Sequence, residues 1–412
     1  MTSTSTAHGL LAIAGGNPVR AKVLPYGHQS IEEEDVQAVV ETLRSEWLTT
    51  GPRVAEFEEA FASYVGAKYA VSFSSGTAAL HGAVSVAGLS SGDEAITSPM
   101  TFAATANCVL YQNATPVFAD VTPDTLNMDP AQTELKITPR TKAIIPVDYA
   151  GHPAEMEAFS ALAAKHGLVI IEDACHALGA AYRGRKTGSI ADMTVFSFHP
   201  VKHLTTGEGG MVATQDGELA EKLRRFRNHG INSDARKRQL EGNWHYEMTS
   251  LGFNYRLPDV ACALGLSQLE KQNANLLRRR QIAARYTAAL QEIPGVIVPQ
   301  VRADVVPAWH LYPIRLDPVR FTVGRAEIFR ALRGENIGVN VHYIPVHFHP
   351  YYRDRFGYRG GEFPMAESAY EKLISLPIFP GMTDEDIEDV ITAVSKVAES
   401  FGRHTANWEG PK

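Results

Sequence analysis

The sequence predicts an α/β fold with a mainly parallel sheet flanked by helices, followed by a smaller C-terminal α+β domain. Short, continuously apolar segments alternate with helical segments between residues 69 and 213, which is typical of parallel strands buried on both faces. After Pro294 the strands and helices become shorter and mixed. The chain has 412 residues, 44% of them hydrophobic, so it can bury a large core.

The first predicted helix begins at Ser30, because Ser30 and Glu33 have the spacing of a capping box and apolar residues then recur on one helical face. Strands are predicted at 69–73, 95–98, 116–119, 143–147, 168–171, 193–198, 210–213, 310–316 and 339–341. Further helices are predicted at 78–87, 155–166, 219–227, 258–291, 325–334 and 384–401, with a loop at 232–243. We therefore expect an N-terminal arm (1–29), a large domain (30–280), a small domain (281–401) and a mobile tail (402–412).

Composition excludes several classes of function. The net charge is −7, which disfavours a nucleic-acid partner, and no apolar run approaches the ~20 residues that cross a bilayer. The three cysteines, Cys108, Cys175 and Cys262, have no C-x-x-C spacing. We expect a cytoplasmic protein with no membrane partner and no metal site.

A candidate anion site lies at Ser75-Gly76-Thr77, between a predicted strand and a predicted helix. A strand that turns through glycine into a helix leaves free N–H groups, and with neighbouring hydroxyls these can bind a phosphate. The ordinary alternative is that Ser75 is only a helix cap.

A second candidate segment ends in Glu172-Asp173, at the carboxyl end of an apolar strand, where ligands bind in open α/β sheets. A buried Asp173 needs a cationic partner, and a pyridinium nitrogen would be one. The alternatives are a helix cap or a metal ligand shared with Glu172.

The third candidate is Lys202, which follows Phe196-Ser197-Phe198-His199-Pro200 and precedes a glycine-rich turn. Partial burial lowers the pKa of an amine and makes it a nucleophile suited to Schiff-base formation. Taken alone, it could be a surface lysine whose stem lies on apolar neighbours. The order of a phosphate loop, a strand-end aspartate and a lysine 29 residues later matches pyridoxal-phosphate enzymes of fold type I.

From about Leu11 to Phe401 the chain resembles the DegT/DnrJ/EryC1/StrS sugar aminotransferases, through many ordered motifs. These are Trp47-Leu48-Thr49-Thr50-Gly51-Pro52, Ser75-Gly76-Thr77-Ala78-Ala79-Leu80, Gly92-Asp93-Glu94, Glu172-Asp173-Ala174, Phe196-Ser197-Phe198 with Lys202, Gly207-Glu208-Gly209-Gly210 and Gly252-Phe253-Asn254-Tyr255-Arg256. Within the family it looks most like the transaminases that form UDP-4-amino-4,6-dideoxy-N-acetyl-β-L-altrosamine, through Pro25-Tyr26-Gly27, Phe198-His199-Pro200-Val201-Lys202 and the segment from Asn340 to His347.

The resemblance implies pyridoxal 5'-phosphate as cofactor and a role for each matching residue. Lys202 would bond the cofactor and move the proton, and Asp173 would pair with the pyridinium. The other implied cofactor contacts are Gly76, Thr77 and Ser197 at the phosphate, Phe102 stacked on the ring, His176 near the 3′-oxygen, and Asn254 from the partner subunit of a homodimer. Tyr26, Thr49 and His347 are the implied substrate contacts.

The implied reaction moves an amino group, with L-glutamate as donor, to C4 of a UDP-linked 4-keto-6-deoxy-N-acetylhexosamine. Two departures leave the sugar open: the family often has His in place of Asp148 and Gln in place of His152, and the segment from Leu11 to Arg20 resembles antibiotic-sugar and aminocyclitol members. The alternatives are an aminotransferase for another sugar or aminocyclitol ketone in antibiotic biosynthesis, or a non-catalytic regulatory protein that binds pyridoxal phosphate. Related sugar dehydratases have His in place of the lysine, so Lys202 argues against dehydration.

Overall fold

The computed structural model describes residues 9–233, 236, 238 and 242–403. Its helices are α1 (Glu33–Leu43), α2 (Pro52–Val65), α3 (Gly76–Val86), α4 (Ala104–Tyr111), α5 (Pro130–Glu134), α6 (Met156–His166), α7 (Gly217–Arg227), α8 (Asp259–Glu270), α9 (Gln272–Leu290), α10 (Arg325–Gly334), α11 (Pro350–Phe356), α12 (Pro364–Lys372) and α13 (Asp384–Phe401). Its strands are β1 (Tyr69–Phe73), β2 (Glu94–Thr97), β3 (Thr115–Phe118), β4 (Thr141–Ile145), β5 (Val169–Asp173), β6 (Ala181–Tyr182), β7 (Arg185–Lys186), β8 (Met193–Ser197), β9 (Gly210–Thr214), β10 (Val296–Ile297), β11 (Val305–Val306), β12 (Tyr312–Leu316) and β13 (Leu373–Leu376).

A seven-stranded sheet forms the centre of the molecule, in the order β1-β9-β8-β5-β4-β2-β3. The adjacent strands β8, β5, β4, β2 and β3 pair in parallel, whereas β9 pairs antiparallel with both β1 and β8. The strands are buried along nearly their whole length, as their continuous apolar runs require. The predicted α/β architecture with a mainly parallel sheet is confirmed.

A second core lies in the C-terminal part of the chain. There the antiparallel sheet β10-β12-β13 packs with α9, α10 and α13 around side chains that include Tyr286, Tyr312 and Ile387. Leu11 and Leu24 of the N-terminal segment are buried in the same cluster. The predicted domain boundary at residue 280 falls within α9.

The predicted start of α1 is wrong by three residues. The carbonyl of Ser30 accepts a hydrogen bond from Gln268 on α8, at 2.9 Å, instead of starting the helix. The helix begins at Glu33, and the capping box forms between Glu32 and Asp35. A long-range contact therefore replaces the local cap that the sequence suggested.

The predicted strand at 339–341 is reduced to a single bridge between Asn340 and Ser375. The N–H of Val341 donates to the side chain of Asn340 at 2.8 Å, so it is not available to a neighbouring strand. The predicted 258–291 helix is divided into α8 and α9 at Lys271. The predicted tail lies outside the described residues from 404 onward, and the predicted loop at 232–243 lies partly outside them.

Candidate active site

A cavity of about 550 Å³ opens at the carboxyl edge of the parallel strands. This is the edge at which open α/β sheets bind ligands. The predicted residues that line it are Tyr26, Gly76, Thr77, Phe102, Asp173, His176, Ser197 and Lys202. They are distant in sequence and meet because each of them except Tyr26 ends or follows a strand of the central sheet.

The first turn of α3 forms an anion cradle on one wall of the cavity. Ser75 caps the helix, and its hydroxyl oxygen accepts the N–H of Ala78 at 3.0 Å. The N–H groups of Gly76 and Thr77 have no carbonyl of a preceding turn to bind. They carry the positive end of the helix dipole and can donate to a phosphate.

Glycine at position 76 is required by close packing. A Cβ atom there would lie 2.9 Å from Cβ and 3.0 Å from Oγ of Ser197. A Cβ at Gly210 would lie 2.5 Å from the carbonyl oxygen of Ser75. Two glycines thus let β8, β9 and the start of α3 approach each other, and the resulting cradle of N–H and hydroxyl donors fits the phosphate of the implied cofactor.

Gly76→Ala should therefore weaken binding of pyridoxal phosphate by about tenfold or more, because displacing the turn by even a fraction of an ångström misaligns its donors. Absorbance titration of the apoprotein with the cofactor measures this. The double variant Gly76→Ala/Ser197→Gly removes the clash but also one hydroxyl, so it should recover thermal stability and only part of the affinity. Full affinity in Gly76→Ala alone would contradict the cradle.

Asp173 is the last residue of β5 and is only 5% exposed. One carboxylate oxygen accepts the hydroxyl of Thr105 at 2.7 Å, and the other accepts the N–H of Cys175 at 3.2 Å. Thr105 is in turn paired with the hydroxyl of Thr101 at 2.8 Å. These bonds fix the carboxylate at the cavity wall, where it can compensate a cationic ring nitrogen.

Lys202 also lines the cavity. Desolvation lowers the pKa of its amine, and the nearby Cys175 and Asp173 act in the opposite direction. A lowered pKa increases the fraction of free amine, which is the nucleophilic form. Lys202 is therefore suited to bond an aldehyde and to transfer protons.

Four buried histidines surround Lys202: His176, His203, His310 and His342. Desolvation lowers the pKa of each, to about 4 for His342, so they are neutral at physiological pH. The rings of His176 and His310 are 4.4 Å apart. The imidazoles therefore add hydrogen-bonding groups beside the amine without adding cations.

Three predicted site residues lie outside this cavity. Thr49 is exposed in the segment between α1 and α2, and Asn254 is exposed beside Asn228. His347 is fully buried, and its Nε2 is 3.1 Å from Glu367, so it offers no exposed atom to a substrate of this chain. The predicted substrate contact at His347 is thus a packing residue in this structure.

The ligand atoms of His347, Glu362 and Glu367 lie within 4.8 Å of one another, a spacing that a metal ion could use. However, both carboxylates accept backbone N–H groups of the 359–363 loop. These hydrogen bonds account for the cluster without an ion.

Two contacts in the cavity were not predicted. Thr105 binds Asp173, and the hydroxyl of Tyr343 is 2.9 Å from Nε2 of His176. Both residues occur in segments that the sequence highlighted, next to Phe102 and within 340–347, but only the tertiary structure shows their partners.

A phosphate cradle, a fixed carboxylate and a desolvated lysine around one cavity define an aminotransferase of the pyridoxal-phosphate type. The chain belongs to the DegT/DnrJ/EryC1/StrS aminotransferase family, whose model matches residues 29–395. It is 47% identical over 382 residues to the spore coat polysaccharide biosynthesis protein SpsC of Bacillus subtilis, covering 92% of this chain and 98% of SpsC.

Solved structures agree with this membership. PseC of Helicobacter pylori, an aminotransferase involved in the biosynthesis of pseudoaminic acid, is 36% identical with a TM-score of 0.86, covering 92% of this chain and all of PseC. Spr1654 of Streptococcus pneumoniae, described as a sugar aminotransferase and solved in a PLP form, is 31% identical with a TM-score of 0.86, over 92% of this chain and 99% of that one. The fold is therefore that of sugar aminotransferases. Among the described residues, no helix is long and apolar enough to span a membrane.

Proposed function

We propose that this chain binds pyridoxal 5'-phosphate and transfers an amino group from L-glutamate to a keto sugar on a nucleotide carrier. The observation that carries the proposal is the convergence of the α3 cradle, Asp173 and Lys202 on one cavity. Bound there, the cofactor would supply an electron sink for the amino-group transfer.

The proposed roles follow from the geometry of the chain. Gly76, Thr77 and Ser197 would hold the phosphate, and Asp173 would hold the ring nitrogen in its protonated form. Phe102, at the cavity rim and 61% exposed, would cover the ring. Nζ of Lys202, whose pKa is lowered by desolvation, would take the proton from Cα of the amino donor.

His176 would contact the cofactor's 3′-oxygen, and its orientation depends on Tyr343. Desolvation raises the pKa of the Tyr343 hydroxyl, so this group keeps its proton and can donate to Nε2 of His176. That bond would fix which ring nitrogen of His176 carries the proton.

For the substrate we propose C4 of a UDP-linked 4-keto-6-deoxy-N-acetylhexosamine. The likeness to PseC supports a sugar of this kind, and SpsC supports the wider class of polysaccharide precursors. Tyr26 and residues 340–343 also line the cavity, so they are candidates to contact a sugar bound there. Thr49, which lies outside the cavity of its own chain, is proposed to contact the sugar nucleotide in a site shared between two subunits.

We also propose a cytoplasmic homodimer. Asn254 is exposed and lies outside the cavity of its own chain, so it is free to reach a second copy. By the family resemblance, this asparagine would contact the cofactor phosphate in the site of the partner subunit.

The test uses the purified full chain and two half-reactions. Visible absorbance should show bound pyridoxal phosphate and should bleach with L-glutamate but less with L-alanine or L-aspartate. The aminated protein is then offered UDP-, dTDP- and GDP-linked keto sugars and keto-inositols, and recovery of the absorbance identifies the acceptor. A protein that keeps its absorbance with every donor would be a regulatory protein, and recovery only with a keto-inositol would replace the sugar by an aminocyclitol.

A further inference from the structure

Two carboxyl groups are buried side by side beneath the cavity, and the proposed reaction does not use them. Asp148 follows β4, and Glu172 precedes Asp173 on β5. Both are 0% exposed, and they are close enough for each to act on the pKa of the other. Successive side chains of a strand point to opposite faces, so Glu172 faces away from Asp173 and belongs to a separate site.

On each carboxyl group one oxygen is hydrogen-bonded to the protein, and the other has no hydrogen-bond partner in the described part of the chain. Asp148 accepts the N–H of Ala154 at 2.9 Å, and Glu172 accepts the hydroxyl of Thr194 at 2.8 Å. The remaining oxygens, Oδ2 of Asp148 and Oε1 of Glu172, have no donor among the described residues. Two carboxylates cannot hydrogen-bond each other unless one of them carries a proton, and burying two unpaired charges together would be very costly.

The groups that act on the pair reinforce this conclusion. The two carboxyl groups act on each other, and the negative charge of Asp173 also raises the pKa of both. Desolvation and this negative neighbour raise the pKa of Asp148 well above its ordinary value and that of Glu172 to about 7, although Thr194 and the N–H of Gly188 favour the ionised Glu172. Cys175, close to Asp148, is a thiol whose pKa is itself raised, so it remains neutral.

The pair is joined to Asp173 through the backbone. The N–H of Asp148 donates to the carbonyl oxygen of Asp173 at 3.1 Å, and the N–H of Asp173 donates to the carbonyl oxygen of Pro146 at 2.8 Å. A hydrogen bond between the carboxyl groups of Asp148 and Glu172 would therefore hold the end of β4 against β5 next to Asp173, which lines the cavity.

We propose that Asp148 and Glu172 share one proton and act as a positioning pair for Asp173. The shared proton links the end of β4 to β5. It also leaves the pair with a single negative charge instead of two. The sharing is a property of the chain alone, whereas the benefit for a cofactor rests on the proposed function.

The pair makes folding stability depend on pH with a defined sign. Its folded pKa is raised above the unfolded values of about 4, so the folded state binds the proton more tightly. Below about pH 4 the carboxyls are protonated in both the folded and the unfolded chain, so the pair destabilises the fold least. The free energy of unfolding then decreases as the pH rises from about 4 toward and through the folded pKa. The opposite dependence would belong to a carboxylate paired with a cation.

The experiment measures the proton first. Infrared spectra of the full chain should show the carbonyl band of a protonated carboxylic acid at neutral pH, and the band should vanish as the pH rises and in Asp148→Asn/Glu172→Gln. The midpoint temperature of thermal unfolding of the wild type should fall as the pH rises from about 5 to about 8. This decrease should be absent in the double variant. Absence of the infrared band in the wild type at neutral pH would overturn the proposal, whether or not the variant folds.

A matched control is Asp35→Asn, which alters another fully buried carboxylate. Asp35 binds Lys271 at 2.8 Å and its pKa is lowered, so its removal should leave the slope above about pH 5 unchanged. Asp148→His is a second variant that places a basic group beside Glu172. It should fold, lose the infrared band and lose the slope, because Glu172 can then ionise against imidazolium or accept its N–H.

The positioning role has its own readout. Asp148→Ala, which leaves Glu172 without its partner, should weaken pyridoxal-phosphate binding about tenfold, the usual effect of removing an outer partner of a site residue. Asp148→His should restore it. Unchanged affinity in Asp148→Ala would refute the positioning role. A wild-type chain that binds no cofactor would instead refute the proposed function. The infrared spectrum would still show whether the pair shares a proton.

Discussion

Replacing Lys202 with alanine should abolish both transamination and the visible absorbance of bound pyridoxal phosphate. Lys202 supplies the one lysine amine that lines the described cavity. Under the proposed function, the cofactor would then lack its covalent attachment and the donor Cα would lack its base. Loss of a positioned base alone costs roughly 10²–10⁴-fold in rate. Absorbance spectra and a single-turnover assay with L-glutamate measure the two losses separately.

Lys165→Ala is the matched control for Lys202. Its amine pairs with Glu134 on the surface, 2.6 Å away, and the side chain is 62% exposed. Such pairs contribute about 0–1 kcal/mol, so absorbance and rate should stay at the wild-type level. An intact half-reaction in Lys202→Ala, with bleaching by glutamate, would show that another group performs the proton transfer and would remove Lys202 from the mechanism.

The sequence predicted elements well where a local signal sets both ends. Helices α10 and α13 have the predicted limits, and α13 begins with a capping box between Thr383 and Asp386. The strands of the central sheet fall within two residues of their predicted limits, because an apolar run between turns is itself local information.

Predictions were wrong where a side chain competes for a backbone group. Gln268 takes the carbonyl of Ser30, which shifts the start of α1. The side chain of Asn340 takes the N–H of Val341, which prevents a strand. Neither competitor can be recognised from sequence spacing, because in each case the competing group is chosen by tertiary packing or by side-chain orientation.

The candidate site shows the same division. Lys202 and Asp173 could be proposed from their order along the chain, and both line the cavity. Thr105 and the Asp148–Glu172 pair could not, since they depend on which strand ends lie side by side. The order β5-β4-β2 brings the segments after these strands together, and sequence alone does not give this order.

Asp173→Asn should reduce the rate of transamination by roughly 10²–10³-fold, the cost of removing one preorganised electrostatic partner from a buried site. The amide has nearly the same size and can still accept the Thr105 hydroxyl. It carries no charge, however, and its NH₂ group would face the N–H of Cys175, which now donates to the carboxylate. The cofactor ring would lose its counter-ion, and the electron sink would weaken.

Thr105→Val provides the graded comparison, because it keeps the Asp173 charge and removes one hydrogen bond at 2.7 Å. Bonds to charged groups contribute about 1.5–3 kcal/mol, so a loss of roughly 10- to 10²-fold is expected. Rates of donor half-reaction and cofactor affinity should fall in the order wild type, Thr105→Val, Asp173→Asn. If Thr105→Val lost as much as Asp173→Asn, the carboxylate's orientation would matter more than its charge. If Asp173→Asn kept the wild-type rate, Asp173 would not be the partner of the ring nitrogen.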